Sequence, residues 1–461
     1  MHSLIRKGSL LFLALLLFFI TITDLFYQFI GADAGYYLVT ARDFYNGKIY
    51  FIDIATAYNP LSIITLGIPF IFTDSPNPVF SLLINFIFIW GSAYFLFKIL
   101  QKINKNNDAN LFYALFFVLA VLVLDGSQLM LEPISVFFQL LGLTFYLKSK
   151  ESNKYHYLII VGISFSCSFL AKQYGLFILA PIGIDILLTK KAVLKRIFFI
   201  AIGFILPILL FYSYLVYNGV TFYEFVNFIL GKGVKLDEGV GTAKNYDLSK
   251  FLFTTAIFVT INLYLLLLPV IIFIRKIDFT FKNSLYVLLF PFSLLVFIPA
   301  SYLHYYQYVL PYSLMIFVYF FKNQNDKLKN LERVLFLISI LIICYISIRS
   351  FTKNASKIDL QEKFAKVLNE NIPLNSKVYL DGPSPAFYFL CHFNSINSNV
   401  IGYTFPGYFY PKTIVKHLDD NDFLVVSQNK YSLYKKWLQH YKIKKIMINE
   451  KCFFVIKKVK K

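Results

Sequence analysis

Long apolar runs alternate with short polar segments along most of the chain. Many runs approach 20 residues, and a helix of that length crosses roughly 30 Å of hydrocarbon. The pattern predicts about eleven transmembrane helices, at 10–29, 78–97, 111–124, 133–147, 156–171, 175–188, 197–217, 251–274, 284–300, 309–321 and 334–350. A β-barrel would instead show alternating segments of about 10 residues. The sequence therefore predicts a polytopic α-helical membrane protein.

Two apolar segments have a second interpretation. The first run follows Arg6 and Lys7 and resembles a signal peptide, because Ala32-Asp33-Ala34 resembles a cleavage site. Its length favours a membrane helix. The segment 60–72 is too short to cross the bilayer, so we predict a re-entrant or interfacial helix there.

Composition supports the membrane assignment. The chain is 58% hydrophobic and only 15% charged, with a mean hydropathy of +0.62. Soluble domains average about 45–50% apolar and about 25% charged residues, so a soluble enzyme and a disordered chain are both disfavoured. A net charge of +20 is typical of nucleic-acid-binding proteins, but most of this excess lies in short loops between the apolar runs. We therefore predict no nucleic-acid partner.

The distribution of charge predicts the topology. The predicted inner loops are rich in Lys and Arg, as in Lys190-Lys191 and Lys195-Arg196, whereas acids outnumber bases in the predicted outer loops. This asymmetry follows the positive-inside rule. It places the N-terminus in the cytoplasm and, with an odd number of spans, exports the tail beyond residue 350. We predict a multi-pass protein of the cell membrane.

The tail differs from the rest of the chain. Short β-branched and aromatic runs predict strands at 377–381, 398–404, 423–427, 444–449 and 452–457. Helices are predicted at 357–370, 385–392, 411–419 and 430–441. The predicted domains are a transmembrane domain over 1–350, whose first outer loop is 31–77, and an extracytoplasmic α/β domain over 351–461.

Polar residues mark the predicted outer ends of several spans. Asp33 lies ahead of a predicted interfacial helix and is either a helix cap or a general base. Glu132 is either a favourable charge at a helix N-terminus or part of a site. Lys172 either extends to the lipid headgroups or binds a phosphate. His304 is either an ordinary interfacial aromatic or a second phosphate ligand.

The first outer loop resembles that of type-C glycosyltransferases. It reads Asp33-x-Gly35-Tyr36-Tyr37, then Gly47-x-x-Tyr50-x-x-Asp53, then Tyr58-Asn59-Pro60-Leu61. Relatives of the protein O-mannosyltransferases and aminoarabinose transferases typically read Asp-Glu-Gly-Tyr-Tyr, Gly-x-x-Pro-Tyr-x-Asp and His-Pro-Pro-Leu. Ala34, Ile49 and Tyr58-Asn59 depart from that pattern.

Three further segments resemble the same family. They are Gln128 to Pro133, with its acidic-Pro turn, Leu170 to Gly175, with its Lys-x-x-Gly break, and His304 to Pro311, with its His-Tyr…Pro segment. The resemblance extends over roughly residues 10–320.

The resemblance implies a fold of the GT-C type and a reaction. A sugar, hexosyl or pentosyl, would pass from a polyprenyl-phosphate donor to a lipid, glycan or protein acceptor on the outer face, with inversion. The implied catalytic residues are Asp33 as general base, Tyr37 and Glu132. The implied donor-phosphate residues are Lys172, Gln173, His304 and Tyr305, and the loop motif adds Tyr36, Asp53, Tyr58 and Pro60. No cofactor is required, and a divalent metal stays open without being indicated.

A transporter or flippase of lipid-linked saccharide is the alternative, and a structural subunit with a partner-binding outer domain is a third hypothesis. Intramembrane charges mark substrate paths in transporters. The predicted spans are almost free of charge at mid-depth, and no repeated halves are visible. An enzyme needs Asp33 and Lys172 at one outer cavity, whereas a transporter needs a polar site at the midplane.

The topology can be tested with a reporter that is active only outside the cytoplasm. We expect activity when it is fused after Lys461 and none when it is fused after Lys195, because the loop charges place these positions on opposite sides. A cytoplasmic C-terminus would contradict the predicted topology.

Overall fold

The computed structural model describes residues 13–17, 19–21, 23, 30–54, 59–73, 76–229, 248–270, 284–298, 302–322, 326–381, 383–384, 386–395, 415, 418–439, 441–448 and 451–458. Tyr58, the predicted strand 398–404 and most of the predicted helices 10–29 and 411–419 lie outside these residues.

The described helices, in chain order, are α1 (Ala32–Tyr45), α2 (Pro60–Leu66), α3 (Pro78–Ile103), α4 (Asn107–Val121), α5 (Glu132–Ser152), α6 (His156–Ala171), α7 (Leu179–Thr189), α8 (Val193–Tyr217), α9 (Phe222–Ile229), α10 (Leu248–Ile261), α11 (Ser284–Ser293), α12 (Tyr306–Phe321), α13 (Asp326–Asn371), α14 (Ala386–Leu390) and α15 (Gln428–Tyr434). The described strands are β1 (Lys377–Asp381), β2 (Asn394–Ser395), β3 (Phe423–Ser427), β4 (Tyr441–Ile448) and β5 (Lys451–Lys458).

Within the described residues, four helices are long and apolar enough to cross a membrane. They are α3, α4 with its π-helical extension to Gly126, α8 and α13. The predicted span at 251–274 is broken instead, because α10 and the helix over 263–270 meet at 98°. Shorter apolar helices cover His156–Ala171, Gln173–Thr189 and Leu285–Phe297. The helical character is confirmed, whereas the number eleven stays a prediction.

The predicted span 334–350 and the predicted helix 357–370 form one helix, α13. No Gly or Pro occurs between residues 351 and 356, so nothing in the sequence stops the helix there. Residue contacts divide the chain into two compact units, one of 1–26, 83–213 and 242–351, the other of 27–82, 214–241 and 352–461. The second unit groups the first outer loop with the tail, and the predicted boundary at 350 stays a prediction.

The first unit is a bundle of closely packed helices. Every side chain of α12 except Tyr319 is buried, as expected for a helix that is apolar on all sides. Helices α6 and α8 meet at Gly162 and Gly203, where a Cβ on Gly162 would lie 2.6 Å from the backbone nitrogen of Phe204. Small residues of this kind let membrane helices approach backbone to backbone.

The second unit contains the predicted C-terminal α/β domain. The described strands form one sheet in the order β2-β1-β3-β5-β4. β1 is parallel to β2 and β3, while β5 is antiparallel to β3 and β4. β1 and β3 have the predicted bounds, and the buried run Leu424 to Val426 suits a central strand. The prediction of a small C-terminal sheet is confirmed.

Candidate functional site

Lys172 lies at a break between two helices. Helix α6 ends at Ala171, Lys172 is extended with φ −160° and ψ 132°, and a 3-10 helix runs over Gln173–Ile178. Gly175 donates its N–H to the carbonyl of Lys172 at 2.9 Å. A Cβ on Gly175 would lie 2.8 Å from the carbonyl carbon of Ser168, so only glycine fits where the chain passes this close to α6. Gln173 is half-buried at the first position of the 3-10 helix.

Glu132 is the buried partner of Lys172. It is the first residue of α5, is 0% exposed and forms an ion pair with the Lys172 ammonium. Pro133 follows it at a helix position where a missing N–H costs nothing. Serine pairing aligns α5 with α6, since the Ser168 hydroxyl donates to the Ser135 carbonyl at 2.9 Å. The second carboxylate oxygen of Glu132, Oε2, has no hydrogen-bond partner in the described structure.

His304 lies between two carboxylates. It belongs to a 3-10 helix, Leu303–Tyr305, that leads directly into α12. Its Nε2 is 3.7 Å from Glu132 Oε1, and its Nδ1 is 3.7 Å from Asp125 Oδ2. The imidazole stacks on Tyr302, with ring centroids 5.3 Å apart. The structure therefore brings together Glu132, Lys172 and His304.

Aromatic rings flank the buried cation. The Lys172 ammonium lies 4.8 Å from the centroid of the Tyr305 ring and 5.8 Å from that of Tyr174. These two rings contact each other edge to face at 5.2 Å. Cation–π attraction is stronger in sites without water, so the rings add to the stabilisation of the buried ammonium.

Amide side chains form hydrogen bonds with the irregular backbone around Glu132, Lys172 and His304. Gln139 donates to the Gly175 carbonyl at 3.2 Å and accepts from the Tyr312 hydroxyl at 3.0 Å. Gln307 donates to the Leu124 carbonyl at 2.6 Å, beside Asp125. Non-helical backbone at membrane depth requires such partners, because no lipid group can supply them.

Asp125, Tyr174 and Gln139 are members of the site that the sequence analysis missed. Asp125 adopts φ 66° at the broken end of α4. The acidic residue and following glycine at the end of an apolar run were the available signal. Within the described ranges, no group of three or more His, Cys, Asp or Glu residues is placed to hold a metal ion.

The motif residues of the first loop lie in the second unit. Asp33 is half-buried in the first turn of α1, and Tyr36 and Tyr37 are buried in the same helix. The helix begins earlier than predicted, because Gly31 and not Asp33 is its N-cap. Asp33 is therefore a charge within the first turn, favourably placed on the helix dipole.

Asp53 and Pro60 shape the loop. The Asp53 carboxylate accepts the Ile49 N–H at 2.8 Å and closes a tight turn. Pro60 is buried at the start of α2, after the N-cap Asn59. The predicted convergence of this loop with Lys172 stays a prediction.

Comparisons with known proteins agree with this architecture. The family model of dolichyl-phosphate-mannose-protein mannosyltransferases matches residues 42–226. ArnT from Cupriavidus metallidurans bound to undecaprenyl phosphate has a similar structure, with a TM-score of 0.67 and 11% identity over 98% of both chains. The apo state of that protein gives a TM-score of 0.66 and 10% identity, again over 98% of both chains. A search of curated proteins finds no match.

An identity near 10% shows the fold alone, and the family model covers less than half of the chain. The family model nevertheless includes the later part of the first outer loop, from Gly47 to Leu61, and the structural likeness extends over nearly the whole chain. The resemblance to the polyprenyl-phosphate-dependent type-C glycosyltransferases is thereby confirmed, and the chain has their membrane fold.

Proposed function

We propose that this protein is a membrane glycosyltransferase that moves a sugar from a polyprenyl-phosphate donor to an acceptor on the outer face of the membrane. The observation that carries the proposal is the buried cluster of Lys172, Glu132 and His304. The proposal is supported by the fold that the chain shares with ArnT, a protein whose structure was determined with undecaprenyl phosphate. The acceptor is a hydroxyl-bearing lipid, glycan or protein.

The Lys172 ammonium is the proposed ligand of the donor phosphate. It lies in an aromatic environment where a charge-assisted hydrogen bond is stronger than in water. Glu132 neutralises it in the structure described here. An anion that reaches Lys172 therefore meets the Glu132 carboxylate, and the two negative charges repel each other.

His304 offers Glu132 a second partner. The 3.7 Å between its Nε2 and Glu132 Oε1 is short enough for a small side-chain rotation to form a hydrogen bond. We propose that Glu132 turns to accept a hydrogen bond from His304 Nε2 when the donor phosphate binds Lys172. Asp125 Oδ2 lies 3.7 Å from Nδ1, the other nitrogen of the same ring.

The transfer itself is a single displacement. The acceptor hydroxyl oxygen attacks C1 of the sugar, and the bond between C1 and the phosphate oxygen breaks. The electron pair leaves with the polyprenyl phosphate, whose charge becomes more negative and is stabilised by Lys172 and His304. Asp33 takes the acceptor proton, with Tyr37 beside it in the same helix. One displacement inverts the anomeric centre.

A pair of variants can separate the proposed role of Lys172 in donor binding from its role in fold stability. Lys172→Gln should lower the affinity for undecaprenyl phosphate about 10- to 150-fold, since a charge-assisted hydrogen bond is worth roughly 1.5–3 kcal/mol. It should also destabilise the fold, by less than the roughly 3–5 kcal/mol expected for an unpaired buried carboxylate, because Glu132 can turn to His304. The measurements are lipid binding by the purified protein in detergent and thermal unfolding.

The double variant Glu132→Gln/Lys172→Gln is the matched control. It buries no charge at these two positions, so stability should recover toward that of the wild type while lipid affinity stays low. Wild-type affinity in the double variant would show that Lys172 contributes only to folding.

Asp33→Asn tests the proposed base. The amide keeps the size of the side chain but cannot accept the acceptor proton, so transfer should fall by about 10²-fold or more. Affinity for undecaprenyl phosphate should stay within about twofold of the wild type. The assay supplies a panel of polyprenyl-phosphate sugars and measures the glycosylated product by mass spectrometry. Near-normal transfer would reduce Asp33 to a favourable charge at the start of α1.

A further inference from the structure

Gln361 of the C-terminal tail binds the chain at the N-terminal end of helix α1, which carries Asp33. The Gln361 amide donates to the Ile30 carbonyl at 2.8 Å and accepts the Ile30 N–H at 3.3 Å. This two-point contact is buried, with Gln361 8% exposed. Ile30 directly precedes the N-cap Gly31 and lies three residues before Asp33, so the contact fixes where α1 begins.

A backbone contact holds the next turn of the helix. A Cβ on Gly35 would lie 2.5 Å from the Cα of Ala386 and 2.9 Å from its Cβ. Helices α1 and α14 therefore meet without an intervening side chain. The glycine of the Asp33-x-Gly35 motif is required by the tail and not by an unusual backbone angle.

Arg42 binds the tail at the last turn of α1. Its Nη1 donates to the Tyr388 carbonyl at 3.2 Å, and its Nη2 donates to the Phe393 carbonyl at 2.9 Å. Burial lowers the pKa of the guanidinium, while the neighbouring Asp43 raises it. Asp43 itself pairs with Lys48 at 2.8 Å. A buried guanidinium that donates to two carbonyls orients α1, because its planar fork allows few arrangements.

We propose that the C-terminal α/β domain positions the base, with Gln361 and Arg42 as positioning residues for Asp33. The inference rests on the proposed function. The contacts at Ile30, Gly35 and Arg42 extend over twelve residues, or about 18 Å at the rise of an α-helix. They therefore hold α1 along most of its length. A displacement of about 1 Å in a catalytic group can cost about 10²-fold in rate, so this attachment bears directly on turnover.

The test compares Gln361→Leu and Arg42→Lys with Lys363→Gln. Leucine fills a similar volume but forms neither hydrogen bond with Ile30, and lysine cannot reproduce the fork. Lys363 lies on the same helix as Gln361, with its side chain 59% exposed, and serves as the control. Two quantities are measured in the full-length protein: the kinetics of transfer from the donor panel, and hydrogen exchange of amides 32–45.

We expect kcat to fall about 10-fold or more in Gln361→Leu and less in Arg42→Lys, because lysine still reaches one carbonyl. The KM for the donor should stay within about twofold, since the Lys172 cluster is unchanged. Amides of α1 should exchange faster in both variants and at the wild-type rate in Lys363→Gln. Should Gln361→Leu fail to fold, the milder Arg42→Lys decides the outcome.

Unchanged kcat and unchanged exchange in the two variants would overturn the inference. A rise in donor KM with kcat preserved would also contradict it, since the tail would then act on donor binding. If the wild type transfers no sugar from any donor, the proposed function fails. The exchange measurement then still decides whether the tail holds α1, because it needs no substrate.

Discussion

The buried ion pair between Lys172 and Glu132 is the constraint on which the rest of the first unit depends. Removing two charges from water costs several kcal/mol each, and their attraction offsets this cost only when the geometry is fixed. The two residues stand at the ends of different helices, so α5 and α6 must stay aligned. The serine contacts between these helices and the Gln139 bond to Gly175 maintain that alignment.

The same constraint would let the proposed site respond to a ligand. Glu132 Oε2 has no hydrogen-bond partner among the described atoms, and His304 lies just beyond hydrogen-bond distance of Oε1. The carboxylate is therefore paired with the Lys172 ammonium and has the His304 imidazole within reach. An anionic headgroup that takes Lys172 would leave Glu132 with His304, so no charge would be stranded without a partner.

Part of this architecture could be predicted from the sequence. The start of α3 at Pro78 and the bounds of β1 and β3 follow from apolar runs that end at turn residues. The bend at Asn262 could not be predicted, because a single polar residue in a long apolar run is compatible with a straight or a bent helix. The continuity of α13 across residues 351–356 was also missed, since the apolar run that predicted the span ends there.

The candidate site shows the same difference. Local sequence features point to individual residues, whereas the packing of the helices determines their contacts. The sequence singled out Glu132, Lys172 and His304 as candidates because charged residues at the ends of apolar spans are few. Their pairing depends on how α5, α6 and α12 pack, which no local pattern records. The contact of Gln361 with Ile30 joins residues 331 positions apart, so the link between the tail and the first outer loop emerges only in the folded chain.

In the proposed reaction, the Lys172 ammonium holds the phosphate of the lipid donor. Solid-state NMR can measure it directly, as the dipolar coupling between ³¹P of undecaprenyl phosphate and ¹⁵Nζ of lysine in bilayers. We expect a nitrogen–phosphorus distance of about 4 Å, as for an ammonium bonded to a phosphate oxygen, and loss of the coupling in Lys172→Gln. A bound lipid without such a coupling, or a coupling that survives in Lys172→Gln, would show that Lys172 does not bind the phosphate.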